Sequence, residues 1–262
     1  MKHETLLSVR NLSVKQKGGP ILVENSSFAI GYNQCIGIIG ESGSGKSMTC
    51  KAVMGLLPAS AFAISGAVLY KGMDMLGLRE ASRNKIRGRK IAFIPQNPMT
   101  AFNPVFKIGN QVMETLRAHI SVSRREAYDL AITHLKKMNL PRTEELMNSY
   151  PHMLSGGMLQ RVMIAIALMM SPDLIIADEP TTALDISTQA IVLEEFKGIR
   201  ATGISMLVVS HNFGVIAQLA DRIIVMKAGE IMEQDTTRNL LMNPGQAYTR
   251  ELIDASILRK IG

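Results

Sequence analysis

The run Gly40-Glu41-Ser42-Gly43-Ser44-Gly45-Lys46-Ser47 constrains this chain more than any other feature. It fits the pattern G-x-x-x-x-G-K-[ST], which works only between a buried strand and a helix. Both flanks are present: Ile36-Gly37-Ile38-Ile39 is a compact apolar strand, and 46–57 reads as a helix stopped by Pro58. Average residue usage yields the pattern by chance in roughly one chain of this length in a hundred, so its context decides against an idle glycine turn. The glycines let the backbone curl until successive N–H groups point at phosphate oxygens, aided by the positive end of the following helix. Lys46 would put an ammonium on the β- and γ-phosphates, and Ser47 would offer a hydroxyl to Mg²⁺. Such a loop alone leaves kinases, GTPases, helicases and transporters open.

The surrounding chain reads as α/β. Short apolar pieces at 6–9, 21–23 and 28–30, separated by Gly18-Gly19-Pro20 and Gly31-Tyr32-Asn33, predict strands, as do 67–70 and 91–94. From 97 to 170 the texture turns helical, with Ala127, Leu130, Ala131, Leu135 and Met138 at helical spacing. Alternation then resumes with strands at 174–177, 206–210 and 223–226 and helices near 187–200 and 213–220, which predicts a parallel sheet covered by helices. Active groups should then lie at the carboxyl ends of the strands. The longest apolar run, 162–170, has nine residues, against the ~20 of a bilayer-spanning helix. Met1-Lys2-His3-Glu4-Thr5 lacks an apolar signal core, so the chain is expected in the cytoplasm.

Composition narrows the classes further. With 47% hydrophobic residues a sizeable core is available and wholesale disorder is excluded. Cys35 and Cys50 are expected to be reduced buried thiols, having no metal or redox spacing. The 18 methionines are scattered, as core filling is. A formal charge of +7 suits nucleic acid, anionic lipid or a polyanionic cofactor, and does not choose among them.

Two further constellations narrow the choice. Leu174-Ile175-Ile176-Ala177 ends in Asp178-Glu179, two carboxylates at the tip of a buried strand. Such a pair is costly without compensation, so a metal nearby is the economical explanation: Asp178 in the Mg²⁺ shell, Glu179 polarising the attacking water. Ser155 can cap a helix whose body is apolar on nearly all sides. Gly156 and Gly157 would leave N–H groups open at its positive end, a second phosphate-binding surface suited to the nucleotide of a facing subunit.

Gly40–Ser47 as a phosphate loop, Ile94-Pro95-Gln96, Leu154-Ser155-Gly156-Gly157, Asp178-Glu179, Ala183-Leu184-Asp185 and Ser210-His211 occur in that order. The chain therefore resembles the nucleotide-binding subunit of an ABC transporter over essentially its whole length. The resemblance implies a P-loop NTPase cassette with a RecA-like parallel core, an N-terminal antiparallel β subdomain and an inserted helical subdomain. It would be one domain over 1–262, with the core in 1–96 and 171–262 and the helical part in 97–170. ATP and Mg²⁺ would be bound by Gly40, Glu41, Ser42, Gly43, Ser44, Gly45, Lys46 and Ser47, with Ser47, Gln96 and Asp178 on the metal. Ser155, Gly156 and Gly157 would close on the opposite cassette's ATP, with Asp185 at the dimer seam. Glu179 and His211 would be catalytic, His211 touching the γ-phosphate.

Gln96-Asn97-Pro98, Ala101-Phe102-Asn103-Pro104 and the tail Ala247-Tyr248-Thr249-Arg250-Glu251-Leu252 are similar to the peptide and nickel importer group. Met158 after the signature glycines, and a chain that stops soon after the tail motif, lean towards the nickel-type "D" subunit, with metal-chelate importers sharing both. No aromatic stands at Val14-Lys15-Gln16-Lys17, where such cassettes stack adenine, so weaker nucleotide affinity is expected. The resemblance implies a second, different ATPase chain as dimer partner, two membrane permease subunits and an extracytoplasmic solute-binding protein, at the cytoplasmic face of the cell membrane. The five histidines show no ligand spacing, so nickel itself would not touch this subunit. Dipeptide or oligopeptide import is the alternative. An ABC ATPase acting on nucleic acid is more distant, because coiled-coil insertions, zinc cysteines and tandem cassettes are all missing.

Overall fold

The computed structural model describes residues 4–182 and 184–258; Met1, Lys2, His3 and Ala183, all used above, lie outside the described residues. Ten strands are found among them: β1 Thr5–Gln16, β2 Ile21–Gly31, β3 Cys35–Ile39, β4 Phe62–Tyr70, β5 Met73–Asp74, β6 Ile91–Ile94, β7 Leu174–Asp178, β8 Ser205–Val209, β9 Arg222–Lys227 and β10 Glu230–Thr236. They fall into two compact units, 1–83 with 199–262, and 84–198.

The first unit carries two layers of strands. An antiparallel sheet runs in the order β2-β1-β4-β5. Residues 21–23 and 28–30, expected as separate strands, are one strand, because side chains replace the ladder where the polar interruption falls. Asn25, at φ 45°, donates its N–H to Ser13 Oγ at 2.9 Å. Asn11, at φ 47°, donates to Ser27 Oγ at 2.8 Å. Two bulges thus bend the ribbon without ending it.

The other strands of this unit run β10-β9-β3-β8, with β3 parallel to both β8 and β9 and β10 antiparallel to β9. Every residue of β3 and β8 is buried, the near-continuous apolar signature of a parallel sheet covered on both faces. Helix Phe213–Leu219 lies directly on β3: a Cβ added to Gly37 would sit 2.1 Å from Ile216 Cγ2. The helix after the phosphate loop is Lys46–Val53, shorter than the expected 46–57, because the chain turns at Gly55, at φ 61°. Strand β10 was not anticipated from its sequence, nor were helices Glu80–Asn84, Thr237–Met242 and Ala247–Leu258.

The second unit pairs β6 with β7 in parallel, Ile94 opposite Ala177, and carries helices over the stretch expected to be helical. Helix Arg124–Lys137 starts in a capping box, Ser123 Oγ accepting from Glu126 N at 3.2 Å while Glu126 Oε2 accepts from Ser123 N at 2.8 Å. It packs on helix Gly156–Met169, which is buried along most of its length. The α/β architecture, the antiparallel N-terminal sheet and the helical part match the fold expected. No helix among the described residues is long and apolar enough to cross a membrane.

One buried group in this unit is a liability. Both carboxylate oxygens of Glu195, on helix Ile186–Ala201, are buried with no hydrogen-bond partner among the described residues. Burial pushes its pKa up to about 7, with the Arg161 charge pulling weakly the other way. Between the ordinary carboxyl value and about 7 the folded chain holds a proton that the unfolded chain has released, so stability falls as pH rises through that window. Glu195→Gln is expected to raise Tm at about pH 8 and to leave it nearly unchanged at about pH 5, measured by thermal melts. Equal Tm values at the higher pH would contradict the penalty.

Candidate active site

Parallel pairing of β3 with β8 puts their carboxyl ends at one edge, and both ends carry expected site residues. From β3 the chain enters the phosphate loop. Gly45, the cap of the following helix, has φ 98°, and a Cβ there would lie 2.7 Å from the Leu22 carbonyl oxygen. Lys46 is only 4% exposed. Its ammonium donates to Gly40 O at 2.8 Å, Glu41 O at 2.7 Å and Ser44 Oγ at 3.4 Å. The crest of the loop is open: Glu41, Ser42 and Gly43 are exposed, and a Cβ on Gly43 would meet nothing within 4 Å. A buried ammonium, a helix N-terminus and an open, amide-lined crest together fit a polyanionic phosphate group.

Beyond β8, Ser210 is buried and its Oγ accepts from Asn212 N at 3.0 Å. Asn212 Oδ1 caps helix Phe213–Leu219, accepting from Gly214 N at 2.9 Å and Val215 N at 3.3 Å. Between these two anchored residues His211 is exposed. It lines a cavity of about 330 Å³ with Gly40, Glu41, Ser42 and Asn212, and with Leu252, Ala255 and Ser256 of the C-terminal helix. The structure thus brings His211 to the phosphate loop.

In the second unit the parallel pair β6–β7 does the same for residues distant in sequence. Asp178 and Glu179 are both buried at the end of β7. Glu179 sits at φ 47°, an unusual conformation for a non-glycine residue. Its Oε2 accepts from Thr182 Oγ1 at 2.6 Å and from Gln96 Nε2 at 3.4 Å. Gln96, expected to serve Mg²⁺, therefore also orients the expected catalytic carboxylate. Thr182 was not singled out from the sequence; its place three residues after Glu179, in the turn, was the available signal.

The signature residues are placed unequally. Ser155 is the expected cap, its Oγ accepting from Met158 N at 3.3 Å. Gly156 is open, a Cβ there meeting only Leu184 Cδ2 at 3.8 Å. Gly157, expected to be equally uncovered, is buried, and its Cβ would stand 2.2 Å from Thr188 Cγ2. The close contact comes from Asp185, which is exposed and heads helix Ile186–Ala201. Its carboxylate accepts from Thr188 N at 3.0 Å, from Thr188 Oγ1 at 2.6 Å and from Ser187 Oγ. Those bonds, the Ser187 hydroxyl first, hold its carboxyl well below the usual carboxylate range.

The phosphate loop, the paired carboxylates and the signature on one α/β chain define a nucleotide-handling ATPase fold. The model of the ABC transporter family matches residues 23–182, and the chain belongs to that family. It is 42% identical over 251 residues to the metal-staphylopine import system ATP-binding protein CntD of Staphylococcus aureus, covering 95% of this chain and 92% of the relative. It is 42% identical over 255 residues to the dipeptide transport ATP-binding protein DppD of Bacillus subtilis, covering 95% and 76%. Among solved structures it is similar to the ATP-binding cassette MJ0796 in a dimeric post-hydrolysis state bound to ADP and Pi. There the TM-score is 0.78 at 29% identity, over 88% of this chain and 99% of that one. The ABC ATPase fold implies ATP binding.

Glycine at 157 is a packing requirement with a calculable test. Alanine would favour the helix by up to ~1 kcal/mol, while overpacking against Thr188 costs about 1–3 kcal/mol, so the clash wins. Gly157→Ala is expected to lower Tm by several degrees, at ~2–4 °C per kcal/mol for a chain of this size. Adding Thr188→Ser, which deletes the opposing methyl but keeps the hydroxyl on Asp185, should restore most of the loss. Equal melting of the single and double variants would contradict the contact.

Proposed function

We propose that this chain is the ATP-hydrolysing subunit that energises import of nickel or a nickel/metal chelate through a separate membrane permease. The coarser part of that statement, an ATPase subunit of an ABC importer, follows from family membership and from the import and transport systems of its relatives. Support for metal over peptide comes from the metal-staphylopine relative, which matches this chain nearly end to end, and from Met158 after the signature glycines. The observation that carries hydrolysis is Glu179, a buried carboxylate at a strand tip with its Oε2 fixed by Thr182 and Gln96.

In this reading residues 40–47 wrap the phosphates, their amides and the Lys46 ammonium binding the β- and γ-phosphoryl oxygens. Ser47, Gln96 and Asp178 would hold Mg²⁺, which would neutralise charge on the phosphate oxygens. Glu179 accepts the proton of the attacking water, and the Thr182 and Gln96 donors keep its carboxylate turned. His211 donates to the γ-phosphate. Ser155, Gly156 and the backbone of Gly157 face the ATP of a second cassette, with Asp185 at the dimer seam. ATP thereby contributes affinity to the closed state, and its hydrolysis releases that state. Residues 1–262 act as one cassette. The partners would be a second, different ATPase chain, two permease subunits and, through them, an extracytoplasmic solute-binding protein. The chain would work peripherally at the cytoplasmic face of the membrane, without contacting nickel or nucleic acid itself.

Peptide import is the second reading, favoured by the equal identity to the dipeptide transport protein of B. subtilis. One experiment addresses both. In cells whose only copy carries Glu179→Gln, accumulation of radioactive nickel should fall to background, while the purified variant still binds ATP with turnover reduced at least ~100-fold. Loss of labelled dipeptide uptake with nickel unaffected would install the second reading, and undiminished turnover would remove Glu179 from its role.

A further inference from the structure

The run Ala247-Tyr248-Thr249-Arg250 opens the C-terminal helix and has no task in the function proposed above. Its tyrosine is 7% exposed and reaches the phosphate loop: the Tyr248 hydroxyl oxygen accepts from the Glu41 N–H at 3.1 Å. That N–H belongs to the same planar peptide unit as the Gly40 carbonyl, which accepts from Lys46 Nζ at 2.8 Å. One peptide plane is therefore held at both ends, by a phenol on its N–H side and by the loop ammonium on its carbonyl side. Turning the plane over would break both bonds and move an acceptor off Lys46.

The tyrosine is itself fixed from two directions. Lys227 Nζ, at the end of β9, stands 4.4 Å from the centre of its ring. The helix is tied at its start to Glu233 of β10, whose carboxylate accepts from Gly245 N at 2.8 Å, Gln246 N at 3.1 Å and Thr249 Oγ1 at 2.6 Å. Further along, Leu252, Ala255 and Ser256 form one wall of the cavity lined by Gly40, Glu41, Ser42 and His211. The C-terminal helix is thus built into the phosphate-loop edge.

We propose that Tyr248 is a positioning residue for ATP binding: by holding the N–H of the 40–41 peptide, it keeps the Gly40 carbonyl on Lys46 and so sets where the ammonium meets the phosphates. The proposal rests on the ATP-subunit reading given above. The tyrosine acts on binding rather than on the chemical step, since its hydroxyl oxygen is engaged by a loop amide and not by a group that moves a proton.

Tyr248→Phe removes the acceptor and keeps the ring, its burial and the Lys227 contact. In the full-length chain the Kd of a fluorescent ATP analogue should rise roughly threefold to tenfold, the range of one net hydrogen bond. In the assembled complex the KM for ATP should rise by the same factor with kcat within about twofold, a split that general loosening of the fold would not give. Hydrogen exchange at the Glu41 amide should quicken, with Tm unchanged. Unaltered Kd and unaltered Glu41 exchange would overturn the proposal, as would a lower kcat at constant Kd. Should the variant not fold, an unprotected Glu41 amide in the wild-type chain overturns it equally. A wild-type chain that binds no ATP analogue refutes the ATP-subunit reading. Normal wild-type binding matched by Tyr248→Phe refutes only the positioning role.

Discussion

A buried ammonium is the constraint on which the phosphate-loop edge depends. Lys46 is almost wholly removed from water and is held by two carbonyl oxygens and a hydroxyl of its own loop. Burying such a charge costs several kcal/mol before compensation. Much around it supports that arrangement: glycine at 45 where a side chain would strike Leu22 O, the Gly229 N–H on Ser44 O at 3.1 Å, and Tyr248 on the adjoining peptide.

The second principle is delivery by parallel strands. In each unit two fully or largely buried parallel strands end side by side, β3 with β8 and β6 with β7. Their interiors contribute apolar burial, about 1.5–3 kcal/mol for each large aliphatic side chain, and their tips carry the chemistry. Gln96 and Glu179 are 83 positions apart in sequence and meet because β6 and β7 pair. The signature region follows a different rule: there the close approach of Gly157 to Thr188 is set by Asp185, which ties down the first turn of the next helix.

The phosphate loop, the Asp178-Glu179 tip and the Ser155 cap were legible because each is a local pattern with a local physical cause. Strand 91–94 was read at its observed bounds, since an unbroken apolar run between Lys90 and Pro95 leaves little choice. What escaped was long-range or polar. Strand β10 is Glu-Ile-Met-Glu-Gln-Asp-Thr, a mostly half-exposed edge whose composition carries no strand signal. Residues 21–31 read as two pieces because the bulge at Asn25 is satisfied by Ser13, on another strand. The burial of Gly157, the grip of Thr182 on Glu179, and Tyr248 on Glu41, 207 positions away, all depend on contacts made only after folding. Motifs named the residues of the site, and topology supplied their partners.

The most direct measurement is a paired one on Lys46→Met, which replaces the buried ammonium by an apolar chain of similar length. If the charge is held for phosphate, affinity for a fluorescent ATP analogue, measured well below Tm, should fall at least ~100-fold, while Tm falls only modestly as the Gly40 and Glu41 carbonyls lose their donor. A variant that melts lower yet binds the nucleotide as the wild type does would contradict the account, and would make Lys46 a structural brace.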